Sequence, residues 1–137
     1  MKYKIILASL FIGLIIPIGS FAATIGLNNT EVQIIADPIL EGILTGLSSE
    51  DYYKYSRAFD ETLKESITKD RFKQIKLEVS REIGSYLYRE YLGFINKEEM
   101  TIVFWKAGFD KSPDDVLIRL VISNREGKNF VTGLWFE

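Results

Sequence analysis

Hydrophobic and polar positions along the chain pass through three regimes. The first is an almost unbroken apolar run, Ile5 to Ile18, with Lys2 and Lys4 ahead of it and Ser20-Phe21-Ala22 behind. This is the layout of a secretory signal: a positive n-region, an apolar h-region reaching Gly19, and a small-x-small cleavage site. Cleavage is expected after Ala22, giving a signal peptide over 1–22 and a secreted or extracytoplasmic mature chain. The alternative is an uncleaved N-terminal membrane anchor, since Ile5–Ala23 approaches the roughly 20 residues that span a bilayer. Pro17 and Gly19 favour the signal, because they break the helix just before the small residues.

The second regime is helical. Residues 23–31, with Gly26, Asn28 and Asn29, carry no period and read as a flexible lead-in to a single domain over 32–137. Ala36, Leu40, Ile43 and Leu47 then form one stripe of a 3.6-residue period. Asp37-Pro38 interrupts it, so the helix is expected either to start at Pro38 under an Asp37 cap or to kink there. Ser48 with Asp51 resembles a capping box for a second helix, whose stripe is Tyr52, Tyr55, Phe59, Leu63 and Ile67. Thr68 is placed to cap a third, with Phe72, Ile75, Val79 and Ile83 on one face and Gly84 as its stop.

The third regime alternates. Four segments rich in aromatic and β-branched residues, about 86–95, 101–110, 116–124 and 129–136, predict strands. Their short polar links join antiparallel neighbours, because a parallel crossover needs a dozen or more residues. Helices followed by a meander define an α+β fold, with N-terminal helices packed on a four-stranded antiparallel sheet. Alternation turns Val103, Trp105, Ala107 and Phe109 inward, with Ile118, Leu120 and Ile122 and with Phe130, Thr132, Leu134 and Phe136. The opposite face is unusually apolar: Ile102, Phe104, Leu117, Val121, Val131 and Trp135, interrupted by Lys106 and Arg119. Ile102, Phe104, Arg119, Val121 and Trp135 are therefore the interface candidates for a homodimer through this face, since contiguous apolar surface marks interaction sites; the alternative is that the sheet curls and buries part of the patch alone.

Composition narrows the chemistry. The 137 residues include no cysteine and no histidine, which excludes disulfide scaffolds, His or Cys metal sites, and mechanisms built on imidazole or thiolate. The formal charge is -2 and becomes -4 once Lys2 and Lys4 leave with the signal. A nucleic-acid partner is not expected, because phosphate-backbone binding relies on clustered Lys and Arg. A membrane partner is expected only through the first segment, if uncleaved.

The segments DYYKYSRAFDETLKESI (51–67), REIGSY (81–86), VFWKAGFD (103–110), VLIRLVIS (116–123) and VTGLWF (131–136) resemble those of a family of small exported prokaryotic proteins, domain of unknown function 3887. The resemblance covers most of the mature chain. It implies a cone-shaped α+β fold like those of nuclear transport factor two and the cystatins, in which helices wrap a strongly curved sheet. It brings no catalytic residue.

Tyr55, Tyr86, Tyr88 and Trp105 are the candidates for lining a small-ligand pocket in such a cone, while the same spacing equally describes core packing. No catalytic residue, metal site or cofactor is assigned. Asp114-Asp115 with Asp110 lacks the spacing of a cation loop. The expected function is thus a non-catalytic binding or interaction domain, with an unknown protein or small molecule as partner. The alternative is a cone-fold isomerase or dehydratase using an acid such as Asp60 with Tyr55, Tyr86 or Tyr88 for proton transfer. A cystatin-like inhibitor ranks last, since the chain has no Gln-x-Val-x-Gly segment.

Overall fold

A computed structural model describes residues 22–137; residues 1–21, on which the signal-or-anchor reading falls, lie outside that range. Among the described residues no helix is long and apolar enough to cross a membrane. The order of elements is β1 (Ala22–Ala23), α1 (Asn29–Ser48), α2 (Tyr52–Ser56), α3 (Glu61–Ser66), α4 (Lys69–Glu82), β2 (Tyr86–Lys97), β3 (Met100–Phe109), β4 (Val116–Arg125) and β5 (Lys128–Phe136). The four long strands form an antiparallel meander, β2-β3-β4-β5, and β1 pairs with the end of β4. The helices pack on one side of this curled sheet, so the α+β expectation and its cone-like layout hold.

The lead-in is not loose. Ala22 and Ala23 pair with Arg125 and Asn124, and the buried Ile25 donates its backbone N–H to Thr101 Oγ1 at 3.0 Å. Thr101 in turn donates to Asn96 Oδ1, whose amide nitrogen donates to the Gly26 carbonyl, both at 2.8 Å. These bonds satisfy polar groups that burial would otherwise leave costly. They also place the start of α1, where the Asn28 side chain caps the helix by accepting from Glu31 N–H.

Helix α1 therefore begins eight residues before Asp37 and runs through Pro38 without a break. Neither Asp37 nor Ser48 is a cap: Ser48 is the last residue of α1, and α2 is capped by Asp51, which accepts from Lys54 N–H at 3.1 Å. The predicted second helix is divided. Tyr55, Phe59, Leu63 and Ile67 of its apolar stripe are buried and Tyr52 is half-buried, but residues 57–60 leave the helix to pair with β5, where Asp60 N–H donates to Val131 C=O and Val131 N–H to Ala58 C=O. An otherwise open sheet edge is satisfied by this exchange, and Asp60 restarts the helix as the cap of α3. Helix α4 follows its prediction: Thr68 caps it, and Gly84 (φ 87) stops it by donating to the Val79 carbonyl.

One cluster of side chains fills the concave side of the sheet. Val103, Trp105, Ala107, Ile118, Leu120 and Ile122 are fully buried against Ala36, Leu40, Tyr55, Phe59 and Ile75. Strand β5 departs from its predicted phase. A bulge at Thr132, between the pairs Val121–Gly133 and Ile122–Val131, turns Val131 into the core and Phe130 and Thr132 away from it. One extra residue in a strand reverses the faces beyond it, so Val131 belongs to the core and not to the outer face.

Candidate functional site

An open groove of about 460 Å³ lies between α1 and the edge strand β2, lined by Gln33, Asp37, Tyr86, Tyr88, Arg89, Tyr91 and Trp105. Its helix side follows from periodicity. Gln33, Asp37 and Glu41 stand four residues apart, so they form a polar row beside the buried row of Val32, Ala36 and Leu40. Its strand side depends on two irregularities, between Tyr86 and Tyr88 and between Tyr91 and Gly93. The first lets Tyr86 face α1 along with Arg89 and Tyr91, although simple alternation would oppose Tyr86 to Arg89. It also separates Tyr86 from Tyr88, whose ring lies over Gly108 where any Cβ would collide with it.

A polar network fixes the walls. The buried Trp105 donates its Nε1–H to Asp37 Oδ1 at 2.9 Å, the bond that a buried indole needs. Arg89 donates from Nη1 to Glu41 Oε2 at 2.6 Å and to Tyr86 Oη at 3.1 Å, and its Nε stands 3.9 Å from Asp37 Oδ1. Tyr91 stacks edge-on against Trp105 at 6.2 Å and donates its hydroxyl proton to Asn29 Oδ1 at 2.9 Å. Burial, with the Asp37 charge adding to it, raises the Tyr91 phenol above its ordinary range. Burial works against the Arg89 guanidinium, but the bonds to Glu41 and Tyr86 outweigh it and hold the cation more firmly than usual.

Three of the four predicted pocket residues, Tyr86, Tyr88 and Trp105, thus border one groove, although Trp105 reaches it only through its bond to Asp37. Tyr55 does not line it. That side chain is fully buried among Phe59 and Phe72, and its hydroxyl has no hydrogen-bond partner among the described residues. Desolvation raises its phenol strongly. Tyr55→Phe is therefore expected to stabilise the domain by about 0.5–1 kcal/mol at pH 7, since it removes an unpaired buried polar atom without leaving a partner behind. The native phenol keeps its proton while the unfolded one loses it near pH 10, so native stability falls as pH rises above 10. Urea denaturation at pH 7 and at pH 11 should show the Tyr55→Phe advantage growing with pH; an advantage that shrinks would contradict it.

Asp60, the acid of the proton-transfer alternative, has both oxygens engaged. Oδ1 accepts from Leu63 N–H at 2.9 Å, and Oδ2 accepts from Arg125 Nη1 at 3.2 Å. It is 8% exposed, more buried than a surface acid. Asp110 accepts from Ser85 N–H at 2.7 Å and so ties the turn after α4 to the end of β3. Among the described residues no group of three or more Asp or Glu side chains is arranged to hold a metal ion.

The interface candidates share one face, on the side away from the helices. Ile102 pairs with Val121, and Phe104 with Arg119, which pairs with Trp135. The Arg119 guanidinium lies 4.5 Å over the Trp135 ring and donates from Nη2 to Glu137 at 2.8 Å. Trp135 also shields Gly133, where a Cβ would strike its ring. Ile95 extends the face onto β2 opposite Ile102 and is 53% exposed.

Sequence reasoning missed Gln33, Asp37 and Arg89. The available signals were the polar row at four-residue spacing beside the apolar stripe, and the need of an inward tryptophan for an acceptor. The chain matches no protein-family model, no curated protein and no solved structure.

Proposed function

We propose that this chain is an exported, non-catalytic binding domain of the domain of unknown function 3887 type, with the α1–β2 groove as its ligand seat. The observation that carries this reading is the Asp37–Trp105–Arg89–Glu41–Tyr86 network, which holds the groove walls in one geometry before any ligand arrives; preorganisation of this kind lowers the cost of binding. The core supports it as well, because the concave side of the sheet is filled with side chains and a ligand must sit at the edge. In a thermal-shift screen of small metabolites, a ligand of the groove raises the melting temperature of the wild type and much less that of Gln33→Ala; at a concentration of 100 Kd the stabilisation is about 2.7 kcal/mol. A compound that the protein converts, with turnover abolished in Asp37→Asn, would establish the enzymatic alternative instead.

The outer sheet face favours a second role, self-association. Ile95, Ile102, Phe104 and Trp135 share this face, while Val121, at 8% exposure, is already buried within the monomer, contrary to its expected place in the interface; the charges around them are paired within the chain, Lys106 with Glu90 at 3.1 Å and Arg119 with Glu137 at 2.8 Å. Two copies can therefore meet on a two-fold axis without like-charge repulsion. Sedimentation equilibrium at micromolar concentration is expected to give a dimer that Phe104→Glu dissociates; a monomeric wild type removes this role.

A further inference from the structure

We infer that the ligand seated in the α1–β2 groove is a neutral saccharide; this rests on the groove being the binding seat. The first consideration is charge. Asp37 balances Arg89, the one cation among the lining residues, and that guanidinium is already bonded to Glu41 outside the lining, so an anionic ligand would have to compete with two carboxylates for it. The second is the inventory of unused hydrogen-bonding positions.

Tyr86 accepts from Arg89 and keeps its own O–H to donate, whereas Tyr91 donates to Asn29 and keeps an acceptor position. Gln33 makes no side-chain hydrogen bond among the described residues and offers both kinds, as does the Arg89–Asp37 pair through Nη2 and Oδ2. An ammonium or guanidinium group could use only the acceptors and would leave the tyrosine, amide and guanidinium donors unmatched. A sugar hydroxyl donates and accepts at once, so a ring carrying several of them matches both halves of the inventory.

The third consideration is the helix. Pro38 has no N–H, so the carbonyl of Ile34 lacks its ordinary partner one turn on. Ile34 and Pro38 line a second depression with Thr30 that shares Gln33 and Asp37 with the groove. The two depressions adjoin along α1 through Gln33 and Asp37, which suits a ligand of more than one sugar ring. Tyr86 and Tyr91 supply aromatic surface next to these polar groups, as the alternating C–H and O–H edges of a pyranose require.

The test is isothermal titration of the folded protein with neutral trisaccharides (maltotriose, cellotriose, N,N′,N″-triacetylchitotriose), an acidic one (trigalacturonate) and a cationic one (chitosan trimer). At least one neutral trisaccharide is expected to bind, with affinity falling about five- to tenfold in Gln33→Ala and in Tyr86→Phe, the effect of one lost hydrogen bond. Far-ultraviolet melts confirm that both variants fold. Binding of the acidic or cationic trimer alone, or neutral binding unchanged in both variants, overturns the saccharide assignment. The two levels separate cleanly. A non-sugar hit from the metabolite screen that loses affinity in Gln33→Ala keeps the groove as the seat and removes the sugar, whereas ligands indifferent to Gln33 and Tyr86 remove both.

Discussion

Alanine at position 46 is expected to lower the stability of the domain by about 3 kcal/mol or more, a large share of the roughly 5–15 kcal/mol that holds a domain folded. Gly46 lies in the last turns of α1 where α2 crosses it, and an added Cβ would overlap the backbone N and Cα of Tyr55 and press on the Asp51 carbonyl. Backbone cannot turn aside as a side chain can. Nor can α2 retreat, because Asp51 N–H donates to the Gly46 carbonyl at 2.8 Å and Tyr55 is packed between Phe59 and Phe72. Gly42, one turn earlier on the same helix, is the internal control. A Cβ there meets nothing within 4 Å, so Gly42→Ala should stabilise by about 0.8–1 kcal/mol through helix propensity alone. Urea denaturation followed by circular dichroism reads both; equal effects at the two positions would show that the helix crossing is looser than described.

Trp105→Ala is expected to cost about 3–5 kcal/mol. The side chain is the largest of those fully buried, so its loss removes apolar contact and leaves a cavity beneath α1. Part of the cost is polar, because the indole also anchors Asp37. Trp105→Phe separates the two contributions: it keeps much of the ring and loses the N–H, for an expected cost of about 1–2 kcal/mol. Asp37→Asn retains an oxygen for the indole and should stay within about 1 kcal/mol of wild type. If Trp105→Phe proves neutral, the indole bond does not brace the groove.

These two sites show where the sequence was informative. The burial of Trp105 followed from alternation along β3, and the stripes of α1 and α4 followed from a 3.6-residue period, because burial imposes those periods directly. The break at residues 57–60 was not legible. Tyr55, Phe59 and Leu63 keep helical spacing across it, and what ends the helix is the β5 edge at Val131, more than seventy residues away in sequence. The same limit applies to the groove. Asp37 beside Pro38 has the local chemistry of a helix cap, and only the upstream cap at Asn28 frees it to meet Trp105 and Arg89. Tyr86 and Tyr88 look equivalent in an alternating strand, and it takes the bulge between them to send one toward α1 and the other over Gly108. Bulges and long-range pairings depend on partners, and a single strand read alone does not specify its partner.

The pairing of β1 with the end of β4, and of residues 58–60 with Val131, has a kinetic consequence. Both join the N-terminal part of the fold to segments within the last fourteen residues of the chain. Contacts this far apart in sequence form late, because the long intervening chain must close before they contribute. As the polypeptide leaves the ribosome, the helices can dock on β2 and β3 as those strands appear, but the pairings with Asn124, Arg125 and Val131 wait for the final hairpin. A precursor whose sheet edge at Val131 stays unclosed until that hairpin forms is easier to thread through a narrow translocation channel, which suits the export proposed for it.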